Sequence, residues 1–135
     1  MVGVKLTPLR IISSEKGSVF HAIKKSDAGF NGFGEAYFST ISKDSIKGWK
    51  KHTRMTLNII VPIGVIQFVI YDELEEEFFE VKLSQGNYQR LTIEPGLFIA
   101  FKGIDQSNML LNLANIEHNP SEVVNLDLNK IIYEW

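Results

Sequence analysis

The stretch Lys47-Gly48-Trp49-Lys50-Lys51-His52, with Arg54 just beyond, sets an ammonium and an imidazole two residues apart in a strongly basic run. Side chains on an extended strand alternate between faces, so Gly48, Lys50 and His52 share one face, and Trp49 and Lys51 the other. Lys50 and His52 can therefore line one pocket and move protons on a bound molecule. A lysine becomes a base when burial or nearby cations lower its pKa, and Lys47, Lys51 and Arg54 are close in sequence. The other reading makes Lys50 a solvated lysine and His52 a packed or surface histidine. His118 belongs to the residue type whose ordinary pKa, about 6.5, suits proton donation; it also reads as a surface loop histidine.

Strands must position these groups. Apolar and β-branched clusters recur between short turn signals, and no segment keeps a long helical period, so the chain reads as an all-β sandwich or barrel. Candidate strands cover residues 5–12, 19–24, 34–41, 46–52, 55–61, 65–72, 78–83, 88–93, 97–102 and 109–114. Pro62-Ile63-Gly64 and Glu94-Pro95-Gly96 read as turns, because Pro presets φ and Gly accepts a positive φ. The acidic run Glu73 to Glu77 reads as a solvated loop. Asn119-Pro120-Ser121-Glu122 carries the cap, proline and acid of one short C-terminal helix.

With 135 residues, the chain has the size of one domain spanning 1–135, able to bury roughly two-thirds of its unfolded surface. Hydrophobic residues at 44% and charged residues at 22% are ordinary for globular proteins. A net charge of -2 gives no global attraction for nucleic acid. The absence of cysteine removes disulfides and thiolate chemistry and fits a reducing compartment. The start lacks signal-peptide order, and the longest apolar run, 59–66, is broken by Pro62 and Gly64. The expectation is a cytoplasmic protein without a membrane segment. Dinucleotide, Walker and nucleophile-elbow motifs do not occur.

Gly34 to Ile41 (GEAYFSTI) followed by Ile46 to His52 (IKGWKKH) resembles a stretch of the dTDP-4-dehydrorhamnose 3,5-epimerase family and its 3,4-ketoisomerase relatives. In that family a basic residue, Gly and a large apolar residue precede a catalytic-base histidine, whose place is taken by Lys50. His52 matches the second histidine of the ketoisomerases' His-x-His, and Tyr37 falls where they place a functional tyrosine. Glu15-Lys16-Gly17 resembles the family's Asp-x-Arg-Gly, making Lys16 the stand-in for an arginine on the nucleotide diphosphate. Ile93 to Phe101 resembles a turn and strand in which Ile99 occupies a histidine position. Glu117-His118-Asn119-Pro120 places His118 at or near the family's acid tyrosine. His21 falls near the expected nucleotide base.

The resemblance implies a cupin: a single-domain antiparallel β-sandwich or jelly roll that dimerises through its N-terminal strands. It implies proton transfer next to the carbonyl of a dTDP-4-keto-6-deoxyhexose, in cell-surface polysaccharide (lipopolysaccharide) biosynthesis, with no cofactor. Lys50, His52, Tyr37 and His118 would be catalytic. Lys16, Lys47, Arg54, Trp49 and His21 would bind substrate, with arginine offering a bidentate fork to phosphate. No metal is expected, because two of the cupin ligand positions hold Lys50 and Ile99 and a transition metal requires three or four donors. The alternative is a catalytically degenerate cupin that binds a sugar nucleotide or serves as an interaction module.

Overall fold

The computed structural model describes residues Met1–Trp135. Its strands are β1 (Val4–Pro8), β2 (Ile11–Ile12), β3 (Val19–Phe20), β4 (Glu35–Thr40), β5 (Ile46–His52), β6 (Leu57–Ile63), β7 (Ile66–Asp72), β8 (Glu77–Leu83), β9 (Gln89–Ile93), β10 (Phe98–Gly103), β11 (Met109–Ala114) and β12 (Val123–Asn125). They form two five-stranded antiparallel sheets, ordered β1-β9-β6-β11-β4 and β12-β5-β10-β7-β8, with a small β2-β3 hairpin apart. The expected all-β antiparallel sandwich is the fold, and it resembles a cupin. The sheets pack on a shared core of fifteen buried apolar side chains, including Leu57, Ile59, Phe68, Leu91 and Ile99.

Three local expectations change. Residues 5–12 split into β1 and β2, because Pro8 ends the first strand's pairing with β9. Pro62 lies within β6 rather than in a turn. The register between β6 and β11 shifts so that Val61 and Pro62 face Leu110 alone, and such a bulge tolerates a residue without an N–H. Gly64, at φ 79°, then makes the turn. The expected helix is a 3₁₀ turn, Pro120–Glu122, capped by Asn119, whose side chain accepts from the Ser121 amide. A second 3₁₀ turn, Leu128–Lys130, follows β12, and neither of these was legible beforehand.

Strand β5 is the element that matters for chemistry. It lies between β10 and β12, so Lys50 sits opposite Ile99 on one side and Asn125 on the other. The close approach of β10 requires Gly48, since a Cβ there would lie 2.3 Å from that of Ala100. Beyond this contact the faces separate. Trp49 packs with Val69, Phe98, Ala100 and Ile131 on the outer face of the sheet, where the Lys51 ammonium stands 4.6 Å from the Phe98 ring centroid. Lys50 and His52 turn inward.

Candidate active site

The inner faces of both sheets enclose a cavity of about 750 Å³, within the range of roughly 300–1,000 Å³ typical of small-molecule sites. Its apolar part includes Leu57, Ile59, Ile99, Phe101 and Leu110. Its polar groups are Tyr37 and Ser39 of β4, Lys47, Lys50 and His52 of β5, and Asn112 of β11. Asn125, Asp127 and Lys130 complete the wall from the C-terminal segment. Alternation explains most of the sorting, because 37 and 39, 57 and 59, 110 and 112, and 50 and 52 are each two apart on one strand face, and the register shift between Lys50 and Lys47 opposite β10 brings Lys47 to the same cavity.

His52 is 7% exposed, and its Nδ1 lies 2.5 Å from Oε1 of Glu122. The second oxygen, Oε2, accepts from the backbone amides of Thr53, Arg54 and Met55 at 3.1, 3.0 and 3.2 Å. Burial works to raise the Glu122 pKa, but the His52 hydrogen bond and the Arg54 and Met55 amides outweigh it and hold the carboxyl below its usual range. An ionised carboxylate only accepts, so Nδ1 carries the proton in this contact. Nε2 is then the ring nitrogen left for a ligand.

Across the cavity, on the other sheet, Tyr37 accepts a hydrogen bond from Asn112 Nδ2 at 3.0 Å. The Asn58 amide donates to Asn112 Oδ1 at 3.1 Å, which fixes the carboxamide orientation. The Tyr37 hydroxyl therefore keeps its own proton to give. Its pKa is raised, first by burial, with Glu35 and Glu122 adding to the effect against the Asn112 hydrogen bond.

The structure brings together Tyr37, Lys47, Lys50 and His52. Lys50 is exposed at the cavity wall rather than shielded. Lys47, also exposed, donates to the Thr40 carbonyl at 2.7 Å. The other expected residues are placed differently, and of them only Trp49 borders the cavity. Trp49 is 1% exposed and its Nε1 donates to the Leu128 carbonyl, so the indole has no surface for a substrate and acts as a packing wedge. His118 is an exposed residue of the loop before the Asn119 cap, away from the cavity wall, because β11 ends at Ala114 and the chain turns outward. Arg54 borders a second pocket with Lys5, Thr56 and Glu94. Lys16 is exposed in the tight Ser14–Gly17 turn, and His21 is fixed by its backbone, which accepts from the Tyr88 hydroxyl at 2.7 Å.

Sequence reasoning missed Glu122, read only as a helix acid, and Asn112, Asp127 and Lys130. Asn112 left a signal as the polar residue sharing a strand face with Leu110. Glu122 left none, because it is 70 positions from His52. No group of three His, Cys, Asp or Glu side chains is arranged to hold a metal. Lys50 and Ile99 beside His52 likewise do not fit the metal set of other cupins.

The depressed carboxyl has a pH consequence. Because its folded pKa lies below the unfolded value, Glu122 contributes stability that is complete above ordinary glutamate titration and is lost as pH falls through the folded value. Glu122→Gln should melt below wild type at pH 7, with a gap that narrows on acidification below about pH 4. Thermal denaturation of both proteins from pH 7 to 3 checks this, and a pH-independent gap contradicts it.

No protein-family profile matches the chain, and no curated protein matches it. Solved structures do. A dTDP sugar isomerase from Desulfovibrio desulfuricans shares 31% identity at a TM-score of 0.93, covering 99% of this chain and 91% of that one. A QdtA 3,4-ketoisomerase from Thermoanaerobacterium thermosaccharolyticum, in complex with TDP-4-keto-6-deoxyglucose, shares 19% identity at a TM-score of 0.80, covering 92% and 88%. The 3,5-epimerase RmlC from Legionella pneumophila, in complex with dTDP-4-keto-L-rhamnose, shares 16% at 0.82, covering 95% and 74%. The last two share the fold, while the first, at its identity and coverage, places the chain by descent: it belongs to the dTDP-sugar isomerase family.

Proposed function

We propose that this protein is an isomerase acting on a dTDP-linked 4-keto-6-deoxyhexose, as an epimerase or ketoisomerase, by proton transfer next to the carbonyl. The observation that carries the reading is the pairing of an anchored imidazole, His52, with a proton-bearing phenol, Tyr37, on opposite walls of one cavity. The carbonyl acidifies the neighbouring C–H bonds. His52 Nε2 takes a proton from carbon, the C–H electron pair moves into the enolate, and the carbonyl oxygen gains negative charge beside the Lys50 ammonium. Tyr37 returns a proton to carbon from the other face, which inverts a stereocentre. His52 then gives its proton to solvent and Tyr37 regains one.

We give the base role expected of Lys50 to His52, because the imidazole is buried and oriented by Glu122, whereas the Lys50 side chain is exposed and held by no partner of that kind. Tyr37, with its raised pKa, takes the acid role expected of His118. Lys47 stays a candidate for the diphosphate. We place the reaction in the cytoplasm, in the supply of sugars for cell-surface polysaccharide, and in a homodimer. Ile12 and Val19 on the N-terminal hairpin, 44% and 57% exposed, support pairing through that edge.

Proton NMR tests the reading through uptake of solvent deuterium at C3 or C5 of dTDP-4-keto-6-deoxyglucose. Uptake is the expected result. Binding without uptake favours a catalytically degenerate binder, a reading supported by the exposure of Lys50 and by Ile99 in a histidine's place. No binding rejects both.

A further inference from the structure

The last eleven residues build part of the site while being anchored on the opposite side of its wall. Leu126 exchanges two backbone hydrogen bonds with Trp49, both 3.0 Å, which continues the edge of the sheet past β12. The Leu128 carbonyl accepts from the Trp49 indole at 3.3 Å. Ile131 then enters the outer-face cluster. Trp135 packs 6.3 Å from Trp49 and 5.1 Å from Tyr133, whose hydroxyl donates to Glu80. Between these anchors the 3₁₀ turn puts Lys130 on the lip that the cavity shares with a smaller outer groove.

Charge gives that position a meaning. Three ammonium groups, on Lys47, Lys50 and Lys130, line the cavity against one carboxylate, Asp127. The ion pairs of the molecule are Lys51–Glu73, His52–Glu122 and Arg90–Asp27, so none of the three lining lysines is neutralised. Uncompensated cations at a cavity mouth attract a polyanionic ligand and fix its phosphate end.

We infer that the C-terminal segment is a substrate-binding strap, in which Lys130 contacts the diphosphate of the nucleotide and the Trp49–Trp135 clasp on the far face holds it there. The inference rests on the nucleotide-sugar reading above and adds to it a second cation and the device that positions it. Lys50 is left for the sugar carbonyl, with Lys47 and Lys130 nearer the phosphates.

Calorimetric titration with dTDP and with thymidine separates the possibilities. Lys130→Met should weaken dTDP about 10-fold and leave thymidine unchanged, since only the former carries phosphate, and Lys130→Arg should restore most of the loss. Trp135→Ala, which alters no cavity residue, should show the same dTDP-selective loss with its fold confirmed by circular dichroism. A dTDP affinity within twofold of wild type in Lys130→Met, or an equal loss for thymidine, overturns the contact. Loss in Lys130→Met but not in Trp135→Ala overturns the clasp. A wild-type protein that binds dTDP no better than thymidine removes the nucleotide-sugar reading, and the strap with it.

Discussion

Replacing His52 by Asn is expected to slow solvent-deuterium uptake by about 10²–10⁴-fold, the usual worth of a positioned general base, while the dTDP-sugar still binds. Asparagine keeps a polar group near the Glu122 carboxylate but has no ring nitrogen to accept a proton. The loss should therefore fall on kcat with little change in KM, the pattern of an interaction made only as the proton moves. Exchange NMR with a parallel binding titration reads both quantities. Retention of wild-type exchange in His52→Asn removes His52 from the mechanism.

Lys50→Met should lower the exchange rate by roughly 10²–10³-fold, because the enolate oxygen loses the cation beside it. Lys50→Arg, which keeps the charge, should recover a large part. The pH–rate profile distinguishes this role from that of a base. If Lys50 stabilises charge, the acid limb that reports the proton acceptor persists in Lys50→Met at a lower rate. If that limb vanishes with Lys50 and survives loss of His52, the lysine is the base and the assignment reverses. Side-chain truncation at an exposed position should leave melting nearly unchanged, so a fall in exchange would not report unfolding.

The strands were legible wherever apolar clusters met clear turn signals. The expected limits of β5 and β11 match the structure residue for residue, those of β7, β8 and β9 differ by one residue at one end, and those of β4 and β10 by one residue at each end. Legibility failed where tertiary pairing overrode local signals. Pro62 reads as a turn residue in isolation, yet the bulge facing Leu110 lets it remain in a strand. Val123–Asn125 is too short to announce itself, and pairs only because β5 offers an edge.

The site divides in the same way. Strand alternation put Lys50 and His52 on one face and Trp49 on the other, since two-residue periodicity is a property of the backbone alone. Which face was inner was not written there. The apolar cluster of Trp49, Phe98 and Ile131 claimed one side, and the indole expected to touch substrate became a wedge under the C-terminal segment.

The sequence by itself determined the β architecture, the shared face of the lysine–histidine pair and the resemblance to sugar-nucleotide cupins, because period, turn chemistry and short motifs are local. Only the tertiary structure decided that Glu122 grips His52, that Asn112 orients Tyr37 from the neighbouring strand of its own sheet, and that Lys130 reaches the cavity lip. Each of those links joins residues dozens of positions apart. Their partnership depends on strand pairing and sheet packing, which no window along the chain contains.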